Sequence, residues 1–200
     1  MKTKITFIVL VAVLILSMGL NIKHLINSAH EEKVFLNNAV HYIGIIDSGL
    51  KTLQNYYSTS NYDNFNSEMN LIIKNTYLLD ELLNNGSNFV DAGLNYPGIS
   101  YGFKHIGYAF EGNLNSNKYQ GAFTEDGIIS NKEIKFINQL SSDLEVILSV
   151  MESKDGQNIK SNRTIENFKN LLNTFIKKWD VSAERSTLGF SPYDYLLLKN

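Results

Sequence analysis

The residues with the clearest chemical pattern are Asp126, Ser130 and Glu133, in the stretch T-E-D-G-I-I-S-N-K-E that covers 124–133. Their spacing matches the end of an EF-hand calcium loop, where oxygen ligands stand at positions 5, 9 and 12 and a glycine at position 6 makes the turn. In this register position 1 is Ala122, whose side chain offers no oxygen. The three residues are therefore degenerate metal candidates, and we predict no metal.

The same segment also has the pattern of a helix N-terminus. Ser130-x-x-Glu133 is a capping box, in which the serine hydroxyl accepts from the Glu133 N–H and the glutamate carboxylate accepts from the Ser130 N–H. Ile129 and Ile134 stand at the flanking staple positions, and the Asp-Gly dipeptide upstream is a turn signal. We favour the cap over the calcium loop because it requires no missing ligand.

Complete catalytic motifs are absent from the sequence. His30 begins an H-E-x-x-H pattern, but Val34 stands where a zinc protease needs its second histidine. His41 and His105 each stand alone on predicted helices, and no nucleophile elbow or glycine-rich phosphate loop is present. We therefore predict no catalytic residue, no cofactor and no enzymatic activity.

One group of aromatic residues could form a recognition surface. Tyr96, Tyr101, Tyr108 and Tyr119 are interleaved with glycines in the region 96–123. Tyrosine combines apolar area with a polar tip, which is favoured at binding surfaces, but close helix packing explains the same composition. We give packing more weight and keep this region as the place for an alternative function, a small-ligand or ion sensor.

Composition excludes several classes of protein. The net charge of -2 provides no basic surface for a phosphate backbone, so nucleic acid is not an expected partner. The absence of cysteine excludes disulfides and cysteine-ligated zinc. Abundant Asn, Ile and Lys, which have AT-rich codons, suggest a bacterial source with a low-GC genome.

The strongest signal lies at the N-terminus, where residues 1–4 form a short basic flank and Ile5–Ile22 carries no charge. Eighteen helical residues span roughly 27 Å, close to the hydrocarbon thickness of a bilayer. We predict a transmembrane anchor at 5–22 and one extracytoplasmic helical domain at 23–200. A cleaved signal peptide, which would release a secreted protein, is the less favoured alternative because no good cleavage site follows the run.

Flanking charges give the expected orientation. Lys2, Lys4 and the terminal amine precede the apolar run, whereas Lys23 and Lys33 follow it. This slight bias favours a cytoplasmic N-terminus, a single pass through the cell membrane, and an extracytoplasmic remainder.

Apolar residues in the rest of the chain recur every three or four positions, the spacing of amphipathic helices. The expected fold class is all-α, with an N-terminal transmembrane helix followed by an antiparallel bundle of four to five helices. The predicted helices cover 34–57, 65–83, 100–114, 132–151 and 165–179. Asn84-Asn85-Gly86-Ser87 is the expected stop of the second bundle helix, with Gly86 as its cap.

These features favour a membrane-anchored protein that presents a helical bundle for protein interaction. The bilayer is the expected partner of residues 5–22. An unidentified protein, or another copy of the chain, is the expected partner of the bundle.

Overall fold

A computed structural model describes residues 2–95, 99–111, 127–153, 159–160 and 162–179. Within its helices, the description leaves out the side chains of residues 2–13, 15, 16, 19, 23–27, 92, 95, 99–101, 105, 178 and 179. The predicted loop at 115–126 and the C-terminal tail lie outside the described residues.

Five α-helices and one short 3-10 turn account for the described fold. The helices are α1 (Lys2–Thr59), α2 (Phe65–Phe89), α3 (Ile99–Glu111), α4 (Asn131–Met151) and α5 (Ile165–Trp179), and the 3-10 turn is Ala92–Asn95. Within the described residues, the β structure amounts to one isolated antiparallel bridge between Glu152 and Ile159. The all-α prediction is confirmed.

The first four helices run alternately up and down. Gly49 of α1 packs on Ile72 of α2, and Phe35, earlier in α1, packs on Gly86, later in α2. Helices α1 and α2 are therefore antiparallel. The bond from the Tyr57 hydroxyl to Asn131 joins the far end of α1 to the start of α4. The predicted antiparallel bundle is confirmed.

The fifth helix closes the bundle near the point where α1 enters it. The Glu32 carboxylate of α1 accepts from the Ile165 N–H at 2.7 Å, so it satisfies one of the free amides at the start of α5. Phe168 packs edge-on against Phe35, and Phe175 stacks on Phe103 of α3 with ring centroids 5.2 Å apart. These contacts join α5 to both α1 and α3.

The predicted end of α2 is wrong. The helix continues through Asn84-Asn85-Gly86-Ser87 to Phe89. Gly86 lies inside the helix. A β-carbon there would come within 2.3 Å of the Phe35 ring, so the glycine allows close contact between α1 and α2. A glycine with this packing role looks the same in sequence as a helix-terminating one.

The boundaries of the other helices differ little from prediction. The third predicted helix is described as far as Glu111, and its predicted end at 114 lies outside the described residues. Helix α4 begins at Asn131 rather than 132. The N-terminal half of α1 continues directly into the bundle, and Phe35 is the first buried residue among the α1 side chains that the structure describes. Among the residues whose side chains the structure describes, no helix has the length and apolarity that a membrane crossing requires.

Candidate functional site

The Ser130–Glu133 segment forms the capping box that its spacing predicts. The Ser130 N–H donates to Glu133 Oε2 at 2.7 Å, and the Glu133 N–H donates to Ser130 Oγ at 3.2 Å. Ile129 and Ile134 are both buried beside it. Ser130 Oγ and Glu133 Oε2, from two of the three degenerate metal candidates, thus accept from backbone amides at the α4 N-terminus.

The rest of the calcium pattern adds no ligand among the described residues. Gly127 has a φ of +66°, the left-handed conformation that suits the turn before α4. Asp126 lies outside the described residues. No group of three or more potential metal-ligating side chains comes together in the described part of the chain.

Tyr108 is the member of the aromatic group whose side chain the structure describes. Its ring packs edge-on against Tyr77 of α2 at 6.0 Å, and the Lys104 ammonium lies 5.7 Å from its centroid. The Tyr77 hydroxyl donates to the Glu111 carboxylate. Tyr108 therefore contributes to the contact between α2 and α3.

The other members of this group are placed less completely. Tyr101 belongs to α3, but its side chain lies outside the described residues, as do Tyr96 and Tyr119. The α3 glycines beside them have packing roles. A β-carbon at Gly107 would come within 2.9 Å of the Tyr77 ring, and one at Gly102 within 1.9 Å of Ile176.

A polar groove between α1 and α4 is a feature that the sequence did not reveal. Its volume is about 790 Å³. The groove contains Asp47, which is buried although it is charged. The Ser141 hydroxyl of α4 donates to Asp47 Oδ1 at 2.6 Å, and Lys51 Nζ lies 2.8 Å from Asp47 Oδ2. Both oxygens of this carboxylate are therefore paired.

Lys51 joins the two walls of the groove. Its ammonium also lies 2.7 Å from Glu145 Oε1 of α4. Bonds to Asp47 and then to Glu145 raise the pKa of Lys51 above its ordinary value. The side chain is therefore fixed as a cation, which disfavours a role as a neutral amine nucleophile.

Glu152 has a different environment at the end of α4. Burial, followed by the nearby charge of Asp47, raises the pKa of its carboxyl group. The groove thus combines three acidic groups with one fixed ammonium, and the excess negative charge favours cations over anions.

One sequence signal for this groove exists in retrospect. Asp47 and Lys51 are four residues apart, so they share a helix face and can form an ion pair. The contribution of Ser141 and Glu145 comes from the register between α1 and α4, which a single sequence does not specify.

A second, apolar cleft lies where α1 enters the bundle. It has a volume of about 500 Å³ and is formed by α1 residues from His30 to Asn38, α2 residues from Leu82 to Phe89, and Val90, which follows α2. Two large apolar side chains at its edges are exposed, Val34 by 44% and Phe89 by 73%. This pair of residues is called the Val34–Phe89 patch below.

The exposed apolar surface continues along α1 on the N-terminal side of the bundle. Leu14, Met18, Leu20 and Ile22 are exposed by 54–61%. Water is a poor environment for so many neighbouring apolar side chains, so this part of the helix needs an apolar partner.

Asp80 is the least satisfied ionisable group of the described core. Its Oδ1 is buried without a hydrogen-bond partner, whereas Oδ2 accepts from Asn84 Nδ2 at 3.3 Å. Burial raises the pKa of Asp80 to about 6, although the charge of Lys104 opposes the shift.

No protein-family model, curated protein or solved structure matches the chain.

Proposed function

We propose that this chain is a single-pass membrane protein that presents an extracytoplasmic helical bundle for protein interaction. The observation that carries the proposal is the uncharged run Ile5–Ile22, within a helix that continues unbroken into the bundle. The exposed Leu14, Met18, Leu20 and Ile22 belong to this run. Lipid chains provide the apolar surroundings that these side chains need.

The unbroken helix gives the anchor a mechanical role. Because α1 belongs to both the anchor and the core, the bundle is held at a fixed height and direction relative to the bilayer. Anchoring also raises the effective concentration of the bundle toward other membrane proteins, so that weak contacts are sufficient for binding. This is consistent with an interaction role that needs no catalytic group.

The expected orientation places the N-terminus in the cytoplasm. Lys2 and Lys4 precede the run, and the positive flank of a membrane helix usually stays inside. Cleavage after the run would instead release a secreted bundle, which is the alternative that the same experiment distinguishes.

Fractionation of cells that express the full chain with a C-terminal epitope tests the orientation of the chain and the alternative of cleavage. We expect the full-length chain to stay with membranes after alkaline carbonate extraction and the epitope to be removed by protease added to intact cells. A shortened chain in the medium would indicate cleavage. A full-length chain extracted by carbonate would contradict the anchor.

A further inference from the structure

The apolar cleft between α1 and α2 has the size of a binding pocket. Its volume of about 500 Å³ lies within the range of roughly 300–1,000 Å³ that such pockets cover. Phe35, Leu82 and Val90 line it together with the Val34–Phe89 patch. The two patch residues are large apolar side chains that remain open to water, so covering them with apolar atoms is favourable.

The charge of the cleft restricts what can cover it. Glu31 is exposed and carries the one carboxylate among the described residues that line the cleft. It stands three positions before Val34, so the two side chains lie on neighbouring turns of one α1 face. An occupant that matches this arrangement combines adjacent apolar side chains with a cation next to them.

The segment Tyr195-Leu196-Leu197-Leu198-Lys199 has this combination. It belongs to residues 180–200, which follow α5 and lie outside the described residues. Its four apolar residues are the longest uninterrupted apolar run after Trp179, and a lysine follows them directly. The chain therefore contains a segment whose composition fits the cleft.

The course of α5 brings this segment within reach. Lys169 pairs with Asp91, the residue directly after Val90 of the cleft, at 3.0 Å. From Lys169 to its last residue, Trp179, the helix rises by roughly 15 Å. Tyr195 lies sixteen residues beyond Trp179, a length that spans up to about 50 Å when extended. The connection is therefore several times longer than the return along α5.

Attachment to the same chain makes a small contact surface sufficient. Two exposed patch residues are few beside the roughly 20–30 residues a side of a standard interface between separate proteins. A tethered segment, in contrast, has an effective concentration on the order of millimolar. A contact too weak to join separate molecules can therefore stay formed within one molecule.

We propose that the Tyr195–Lys199 segment docks in the apolar cleft of its own chain, with its leucines on the Val34–Phe89 patch and Lys199 beside Glu31. The docked segment prevents lipid, a second copy or another protein from contacting the patch, and the cleft becomes available only when the segment leaves. The proposal does not depend on the membrane anchor, because cleft and segment belong to one molecule.

Disulfide formation tests the docking directly, since the natural chain contains no cysteine. Full-length Val34→Cys combined with Leu197→Cys is oxidised at low concentration in detergent. The control combines Leu197→Cys with Val146→Cys, at a position of α4 that is 55% exposed, compared with 44% for Val34. We expect the intramolecular disulfide, seen as a faster-migrating monomer, in at least about fivefold higher yield for the Val34 pair.

Two results of this experiment would overturn the docking. Equal yields from the two pairs would show that the segment has no preference for the cleft. Covalent dimers joined through Val34→Cys, without the fast-migrating monomer, would show that a second copy covers the patch instead.

Thiol labelling measures the cover without covalent trapping. In the full-length Val34→Cys protein, changing Leu196, Leu197 and Leu198 to aspartate should raise the rate of maleimide labelling by at least about threefold, because the charged segment leaves the cleft. Leu188→Asp, in the same part of the chain but outside the segment, is the control and should leave the rate unchanged. An unchanged rate in the triple variant would contradict the docking.

Charge reversal tests the placement of Lys199. Glu31→Lys should lower the yield of the Val34–Leu197 disulfide severalfold, because two cations then face each other. Adding Lys199→Glu to this variant should restore the yield, since the pair is present again with its charges exchanged. A yield that falls without being restored would overturn the proposed placement of the segment.

Discussion

At the scale of single residues, Ser130 makes the most direct contribution to stability. Its hydroxyl and the Glu133 carboxylate satisfy two backbone amides at the start of α4. We expect Ser130→Ala to lower the free energy of unfolding by about 1 kcal/mol, the usual cost of losing such a cap. Urea denaturation followed by circular dichroism measures the change.

Two comparisons make this prediction specific. Ser142→Ala, at an exposed position of the same helix, should change stability by less than about 0.5 kcal/mol. Addition of millimolar calcium should leave the unfolding midpoint of the natural chain unchanged. If calcium raised the unfolding midpoint and Ser130→Ala abolished that rise, the calcium-loop interpretation would be supported instead.

Asp80 provides a pH-dependent prediction. Its pKa rises from the ordinary 3.8 to about 6 on folding, so between these values the folded protein binds more protons than the unfolded chain. The contribution of this carboxyl to stability is therefore present below about pH 4 and is lost as the pH rises through about 6. The buried, unpartnered Oδ1 is the structural origin of this cost.

Asp80→Asn tests this account. The side chain is only half-buried, so solvent screening reduces the effect, and we expect a gain of about 1 kcal/mol at pH 7.5. The gain should disappear at pH 4, where both side chains are neutral in the folded protein. Asp63→Asn, at an exposed position, is the control for general charge effects. A gain that is equal at both pH values would contradict the titration of Asp80.

At the scale of helices, glycines decide how closely the elements approach. A β-carbon at Gly49 would lie 2.6 Å from Ile72 Cγ1, at a fully buried crossing of α1 and α2. We expect Gly49→Ala to destabilise the fold by about 1–3 kcal/mol, because the crowded atoms cannot move without shifting a helix. Thermal unfolding of the purified chain measures the change.

Gly44 is a matched control on the same helix. Its added β-carbon would meet its nearest neighbour, Glu152 Oε1, at 3.7 Å, which is ordinary contact. Gly44→Ala should therefore stabilise α1 by about 0.5–1 kcal/mol, the usual gain in helix propensity. Effects of the same sign at both positions would contradict this account of Gly49.

The helices show what a single sequence can predict. Periodicity located α4 and α5 closely, because their apolar stripes are long and uninterrupted by glycine. It failed at Gly86, where a residue that usually ends helices instead admits the Phe35 ring. The Ser130 cap was predictable because all of its partners lie within four residues of each other.

The groove and the apolar cleft were not predictable for the opposite reason. Asp47 and Ser141 are 94 positions apart in sequence, and their bond exists only because of the register between α1 and α4. Val34 and Phe89 likewise line the same cleft only because α1 packs beside α2. Surfaces formed by distant residues require the packing of the helices to be known.

At the scale of the whole molecule, α1 is the element that links the proposed anchor to the bundle. Its 58 residues span roughly 87 Å as one helix. Phe35 is the first buried residue among the described side chains of α1, and the described side chains before it lie outside the hydrophobic core. We expect a break in the stretch before Phe35 to leave the bundle folded.

Ser28→Pro introduces such a break. Proline removes the backbone N–H at 28 and clashes with the carbonyl of residue 24, which costs the helix about 3 kcal/mol at that point. We expect hydrogen exchange of α2 and α4 to stay at the natural level, because the close contacts Phe35–Gly86 and Asp47–Ser141 that join them to α1 lie beyond Val34. Ser28→Ala, which preserves the helix, is the matched control and should show the hydrogen exchange of the natural chain. Faster exchange throughout the bundle in Ser28→Pro would show that α1 folds cooperatively with the core over its whole length.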